Sequence, residues 1–134
     1  MRIPLDVIGD IAILKFGKWT SIFYKKYYGR KLLKINKNIK VVLEKTARFS
    51  GVLRIQDTRW IAGEKRKDTI HRENDCSFYL DVDKTYFSPR MSQDRKVMAE
   101  EIFKGVKKNS KILVMFAGVS PFPIVLAKLL KKNK

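Results

Sequence analysis

Apolar and polar positions change rhythm along this chain, and each change marks an element. Residues 7–16 (Val7-Ile8-Gly9-Asp10-Ile11-Ala12-Ile13-Leu14-Lys15-Phe16) are apolar apart from Gly9-Asp10 and Lys15, which reads as one strand interrupted by a glycine, as at a bulge. Gly17 ends it, and residues 19–33 take up helical spacing despite Gly29. Trp19, Phe23 and Tyr27 recur at i, i+4 and i+8, and Lys26, Arg30 and Lys34 make a second row at the same interval. The aromatic row is expected to pack into the core, leaving Tyr24 and Tyr28 as the exposed rings. Beyond Asn36 and Asn38 the pattern shortens to strand-length runs at residues 39–43, 51–55, 59–62, 69–72 and 77–82, separated by turns such as Gln56-Asp57 and Glu73-Asn74-Asp75. Their spacing predicts an antiparallel sheet beside one helix, a compact α+β unit.

A second regime begins at Ser88. Ser92 is placed as an N-cap with Asp94 in the first turn, and a helix runs from Arg95 to Lys104 with Met98, Ile102 and Phe103 apolar, ending at Gly105. Residues 111–117 form a near-continuous apolar run of strand length, as in a parallel strand buried on both faces. Gly118-Val119-Ser120-Pro121 then turns, with Ser120 as N-cap and Pro121 at the first helical position, into a second helix over residues 122–132. Helix, strand, turn and helix are the opening of a doubly wound nucleotide-binding fold, which needs several such units. The expected organisation is an α+β domain over residues 1–87 and an incomplete Rossmann-like start over residues 88–134.

Charge adds a partner class. The 134 residues carry 30 Lys and Arg against 13 Asp and Glu, a formal +17 that favours polyanions or an anionic membrane face. A solvated lysine-rich surface would give the same total, but the distribution is one-sided. Residues 15–40 hold nine Lys or Arg and no acid, and residues 102–134 hold eight Lys and no acid. Lys25, Lys26, Arg30, Lys31, Lys34 and Arg90 are the candidate contacts to a nucleic acid, RNA or DNA, mainly to phosphate.

Other classes fall away. One cysteine (Cys76) and one histidine (His71) allow no intramolecular disulfide and no single-chain His/Cys zinc site, so no metal is expected. A Cys–His nucleophilic pair has nothing else to support it. The lack of disulfides fits a reducing, cytoplasmic setting. The start of the chain, with Asp6 and Asp10, does not read as a targeting segment. Residues 112–127 are sixteen uncharged positions, short of the about 20 that span a bilayer, with Pro121 and Pro123 among them. No membrane association is expected.

Asp6-Val7-Ile8-Gly9-Asp10-Ile11-Ala12, Thr69-Ile70-His71-Arg72-Glu73-Asn74, Tyr86-Phe87-Ser88-Pro89-Arg90-Met91 and Met115-Phe116-Ala117-Gly118-Val119-Ser120-Pro121-Phe122, in that order, resemble the archaeal and eukaryotic tRNA (guanine-N1-)-methyltransferases that modify guanosine 37, and their wybutosine-pathway relatives. The resemblance runs over essentially the whole chain. It implies an S-adenosyl-L-methionine-dependent enzyme in which an α+β RNA-binding domain precedes a Rossmann-like catalytic domain. A further small N-terminal domain that the family often has lacks a counterpart here.

On that resemblance, Asp94 stands where the family has the Glu thought to take the guanine N1 proton, and Arg95 where the next residue contacts the cofactor. Asp94 reads equally as an acid favoured by the helix dipole. Arg54 falls near a family arginine that contacts the target guanine, or is a strand-surface Arg; Tyr86 resembles an aromatic beside the cofactor, or is a core ring. Phe116, Ala117, Gly118 and Val119 resemble the cofactor loop, where glycine lets backbone approach the methionine part. Val114 replaces a common Asp or Asn, and Ser120 a usual Gly. No Asp or Glu follows Glu101, so the family's ribose-binding acid and its later Asn-Pro-Pro segment have no counterpart. The chain is therefore expected to be one part of a split or truncated enzyme, inactive when isolated, with a second polypeptide completing the site. The alternative reading is a non-catalytic basic RNA-binding module.

Overall fold

Gly9-Asp10 makes a turn where the sequence suggests a bulge. β1 (Leu5–Ile8) folds back on β2 (Ile11–Leu14) as an antiparallel hairpin, Ile8 opposite Ile11, so the two intervening residues are the whole loop. Gly9 sits first in that loop at φ 58°, where a side chain is disfavoured and glycine is not. A continuous strand was the wrong expectation because an apolar run with a central Gly-Asp is compatible with either arrangement, and the loop's partners elsewhere in the chain decide.

The structure, a computed structural model, describes residues 3–46, 57–107 and 109–132. Two compact units emerge: Met1–His71 with Tyr79–Tyr86, and Arg72–Phe78 with Phe87–Lys134. In the first, α1 (Ile22–Ile35), β3 (Val41–Lys45) and β4 (Thr58–Gly63) complete a four-stranded sheet of order β1-β2-β3-β4. β2 and β3 are parallel, joined across α1, whereas β3 and β4 are antiparallel. The sheet is thus mixed, correcting the all-antiparallel expectation; a helix between two strands permits a parallel crossover that spacing alone does not reveal. β5 (Asp68–Glu73) and β6 (Cys76–Asp81) form a separate two-stranded sheet. The strand expected at residues 51–55 lies outside the described residues.

Ala12, Leu14, Ile39, Val42, Ile61 and Ala62 form the core beneath α1, with Phe16, Tyr28, Leu32 and Leu33 packed against it. Gly29 is the buried residue of α1, and a Cβ there would lie 2.9 Å from Ile61 Cγ2 and 3.2 Å from Ala62 Cβ. The glycine brings helix backbone down onto the sheet. This orientation reverses the sequence expectation for four of the five rings, Tyr24 alone being exposed as expected: Trp19 is 92%, Phe23 82% and Tyr27 63% exposed, while Tyr28 packs inward with its ring edge-on to Phe16. Ser21 caps α1 by accepting from the Tyr24 N–H at 3.3 Å.

In the second unit α2 (Ser92–Gly105) packs on α3 (Pro121–Lys132), with Arg95 and Ala99 buried from one and Val125 and Leu126 from the other. Ser92 is the first helical residue, not the cap, because the 3-10 turn Pro89–Met91 leads directly into it. Of the apolar positions in this helix, Met98 faces outward at 54% exposure. Residues 111–117 form no strand, and Leu113, Met115 and Phe116 are exposed. A parallel strand needs neighbours for its N–H and C=O groups, and no described strand pairs with these residues.

Candidate functional site

The first two quoted segments meet at the β1–β2 turn. The Gly9 N–H donates to His71 Nδ1 at 3.0 Å and the Asp10 N–H to Thr69 Oγ1 at 3.2 Å, while that hydroxyl donates to Asp10 Oδ1 at 2.8 Å. Arg66 grips the same carboxylate through both terminal nitrogens, at 3.1 and 2.5 Å. That hydrogen bond, opposed by burial and helped by Thr69, holds the Asp10 carboxyl below its ordinary 3.8. His71 is thereby a structural acceptor in this turn.

The end of the second segment and the start of α2 form another joint. Arg95 donates from Nε and Nη2 to the two Glu73 carboxylate oxygens, each at 2.6 Å, and from Nη2 to the Ser88 carbonyl at 3.0 Å. Both side chains are buried, 7% and 3% exposed, and the guanidinium lies 5.0 Å from the Phe87 ring centre. Asn74 and Asp75 fill the two-residue β5–β6 turn at φ 48° and 58°, the double positive φ of a type I′ turn. Asn74 Nδ2 donates to the Ser92 carbonyl at 3.0 Å. Ser92 and Arg95 are each tied down, so the residues between them have a fixed backbone. Asp94 is one of these, exposed in the first turn of α2, where a helix N-terminus favours an anion.

The resemblance implies a cofactor contact for Arg95, and the structure places its buried guanidinium on Glu73 and Ser88. Glu73, Asn74 and Phe87 carry this joint and were not singled out individually from sequence, whereas Ser92 was, but only as an N-cap. The available signal was that Glu73-Asn74 closes one recurrent segment and Phe87-Ser88 opens the next.

The segment before α3 has positive φ at Phe116 (55°), Gly118 (57°) and Ser120 (58°). Nothing lies within 4 Å of where a Gly118 Cβ would be, so backbone there is open to approach, just ahead of the N-terminus of α3. Phe116 is fully exposed, and Ala117 and Val119 are half-buried. An open glycine turn before a helix is the backbone that a cofactor loop requires, and these residues fit that use. Ser120 stands in the N-cap place expected from sequence, directly before Pro121, its carbonyl accepting from the Ile124 N–H at 3.1 Å and its φ at 58°.

Among the basic candidates, Lys26, Arg30, Lys31 and Lys34 are exposed on α1 and Arg90 is exposed in the turn before α2. Lys25 differs: its ammonium donates to Glu44 Oε1 at 2.6 Å, the pair being 12% and 8% exposed, and is not displayed for a polyanion. Tyr86 is 38% exposed in the first unit. Arg54 lies outside the described residues. No cluster of His, Cys, Asp or Glu able to hold a metal occurs among the described residues.

Residues 69–134 match the model of the family described as the TRM5/TYW2 methyltransferase domain. The chain is 41% identical to the tRNA (guanine(37)-N(1))-methyltransferase Trm5b of Pyrococcus abyssi, over 92% of this chain and 36% of the relative. It is 42% identical to the tRNA (guanine(37)-N(1))/4-demethylwyosine(37)-methyltransferase Taw22 of Nanoarchaeum equitans, over 92% and 39%. The crystal structure of Pyrococcus abyssi Trm5b superposes with a TM-score of 0.76 at 40% identity, covering 93% of this chain and 36% of that one. The complex of aTrm5 with tRNALeu gives 0.80 at 32% identity, covering 97% and 42%. By sequence and by fold, residues 69–134 match the TRM5/TYW2 methyltransferase domain, and the chain is similar over more than nine-tenths of its length to a stretch spanning well under half of these relatives.

Proposed function

We propose that this chain serves methylation of guanosine 37 at N1 in tRNA, contributing an RNA-binding α+β domain and the opening of the S-adenosyl-L-methionine domain, with the remaining strands supplied by further residues of the same or a second polypeptide. The observation that carries this reading is the likeness, over 97% of this chain, to a relative whose structure was solved with tRNA. When bound, S-adenosyl-L-methionine supplies the methyl group as an electrophile. Phe116, Ala117, Gly118 and Val119 would hold it along the open backbone before α3. Asp94 accepts the proton from guanine N1, leaving the nitrogen lone pair free to form the new N–C bond. Asp reaches one methylene less far than Glu, so the backbone of α2 must stand closer to the base, and the Glu73–Arg95 and Asn74–Ser92 ties hold the first turn of α2 in place. Tyr86 and Arg54 are proposed neighbours of the cofactor and the guanine.

A specific observation favours a second reading. The exposed Leu113, Met115 and Phe116 leave the loop without walls among the described residues, as in a non-catalytic RNA-binding module. Both readings require the chain to bind RNA. A tRNA transcript titrated with the 134-residue chain should bind with an affinity falling about a hundredfold between 50 and 200 mM salt, as about four phosphate contacts imply. Absence of salt-dependent binding would overturn both readings.

A further inference from the structure

The outward side of α1 carries rings and cations in alternation. Phe23 and Tyr27 are one helical turn apart and 82% and 63% exposed, and Lys31 continues that row. Lys26, Arg30 and Lys34 stand three positions beyond Phe23, Tyr27 and Lys31, next to them on the helix surface. Trp19, in the turn before the helix, is 92% exposed, with the Lys18 ammonium 5.7 Å from its ring centre. No acidic residue occurs from Lys15 to Lys40. The rings are not needed for folding: Gly29, Tyr28, Leu32 and Leu33 make the seat of α1 on the sheet.

We infer that this face of α1 is a stacking surface for unpaired RNA nucleotides, with Trp19, Phe23 and Tyr27 each offering a ring to a base and Lys26, Arg30 and Lys34 pairing with the intervening phosphates. The inference rests on the RNA-binding reading above but adds a site apart from Asp94 and a preference for unpaired over paired RNA. Charge decides the occupant. A ring flanked by a cation matches a nucleotide, whose flat base and phosphate are separated in the same way, and base–aromatic stacking tolerates any base. A docked protein helix or a lipid surface would call for a continuous aliphatic stripe, whereas Lys26, Arg30, Lys31 and Lys34 interrupt this one.

The test uses the full chain and two probes, a twelve-nucleotide uridine strand and an RNA duplex of the same length, with binding read by fluorescence anisotropy. Phe23→Ala and Tyr27→Ala should each weaken single-strand binding about tenfold, within the range known for base stacking, without changing its salt dependence. Lys26→Gln with Arg30→Gln should instead flatten the salt dependence, by about one unit of slope for each phosphate no longer neutralised. Circular dichroism should show all variants folded, since none of these side chains is buried. Phe23→Leu keeps apolar area without a flat ring: a loss like that of Phe23→Ala supports stacking, and retained affinity overturns it. Unchanged single-strand binding in the ring variants, equal or tighter binding of the duplex, or recruitment to anionic phosphatidylserine vesicles in place of the strand would each overturn the inference while leaving tRNA binding by the chain intact. Failure of the unmodified chain to bind any RNA would remove the RNA-binding reading as well.

Discussion

Asp94 stands in the first turn of a helix that a buried ion pair ties to β5. Glu73 and Arg95 are buried together, and removing one partner leaves the other charge uncompensated in low dielectric, a loss of about 3–5 kcal/mol. Glu73→Gln is therefore expected to lower the stability of the second unit by at least about 3 kcal/mol, read by denaturant unfolding. Ser120 gives the opposite sign. It is a non-glycine residue at φ 58°, a conformation costing about 1–2 kcal/mol, so Ser120→Gly should stabilise the loop by roughly 1 kcal/mol. Asp10 adds a pH dependence. Its folded pKa lies below the ordinary 3.8, so its contribution to stability is fully present above that value and is lost as pH falls through the folded value. Asp10→Asn should remove part of the steep acid limb in a plot of stability against pH. An unchanged limb would show that the Arg66–Asp10 grip contributes nothing to folding.

Among the elements, α1 shows what periodicity can and cannot tell. Its existence, its extent to within a few residues and its Gly29 were all legible. Which side faces the sheet was not, because rings and aliphatics occupy both sides and the position of closest approach is a glycine, invisible to a hydrophobicity count. Placing Trp19, Phe23 and Tyr27 in the core followed the usual preference of large rings for burial, and the packing of Gly29 on Ile61 and Ala62 overrides it. Gly29→Ala isolates this effect. Alanine is the better helix former by about 1 kcal/mol, yet its Cβ would stand 2.9 Å from a fully buried Ile61 methyl; the net expectation is a loss of about 1–2 kcal/mol and a melting point lower by several degrees. A stabilised Gly29→Ala protein would contradict the seating of α1. The run at 111–117 failed for a different reason. Its composition suits a strand, but strand formation depends on neighbours, which a local pattern does not contain. Of the candidate site, Asp94 and the Gly118 turn were singled out by their resemblance to family segments, whereas Glu73–Arg95 required the fold, since two residues 22 apart in sequence form a buried pair only once α2 reaches β5.

At the scale of the whole molecule, a formal +17 and two acid-free stretches give the chain a field suited to a polyanion, and among the described residues no helix is long and apolar enough to cross a membrane. The relatives that the chain resembles are named as tRNA methyltransferases or were solved with tRNA, and they are more than twice as long. The most direct measurement is therefore methyl transfer in a chimera, with this chain replacing the matching third of Pyrococcus abyssi Trm5b and labelled S-adenosyl-L-methionine offered with a guanosine-37 tRNA transcript. Label should enter at N1 of guanosine 37 and be lost, by at least about a hundredfold in rate, on Asp94→Asn, as expected for removal of a general base. A folded, RNA-binding chimera that transfers no methyl, or one indifferent to Asp94→Asn, would contradict the proposed role.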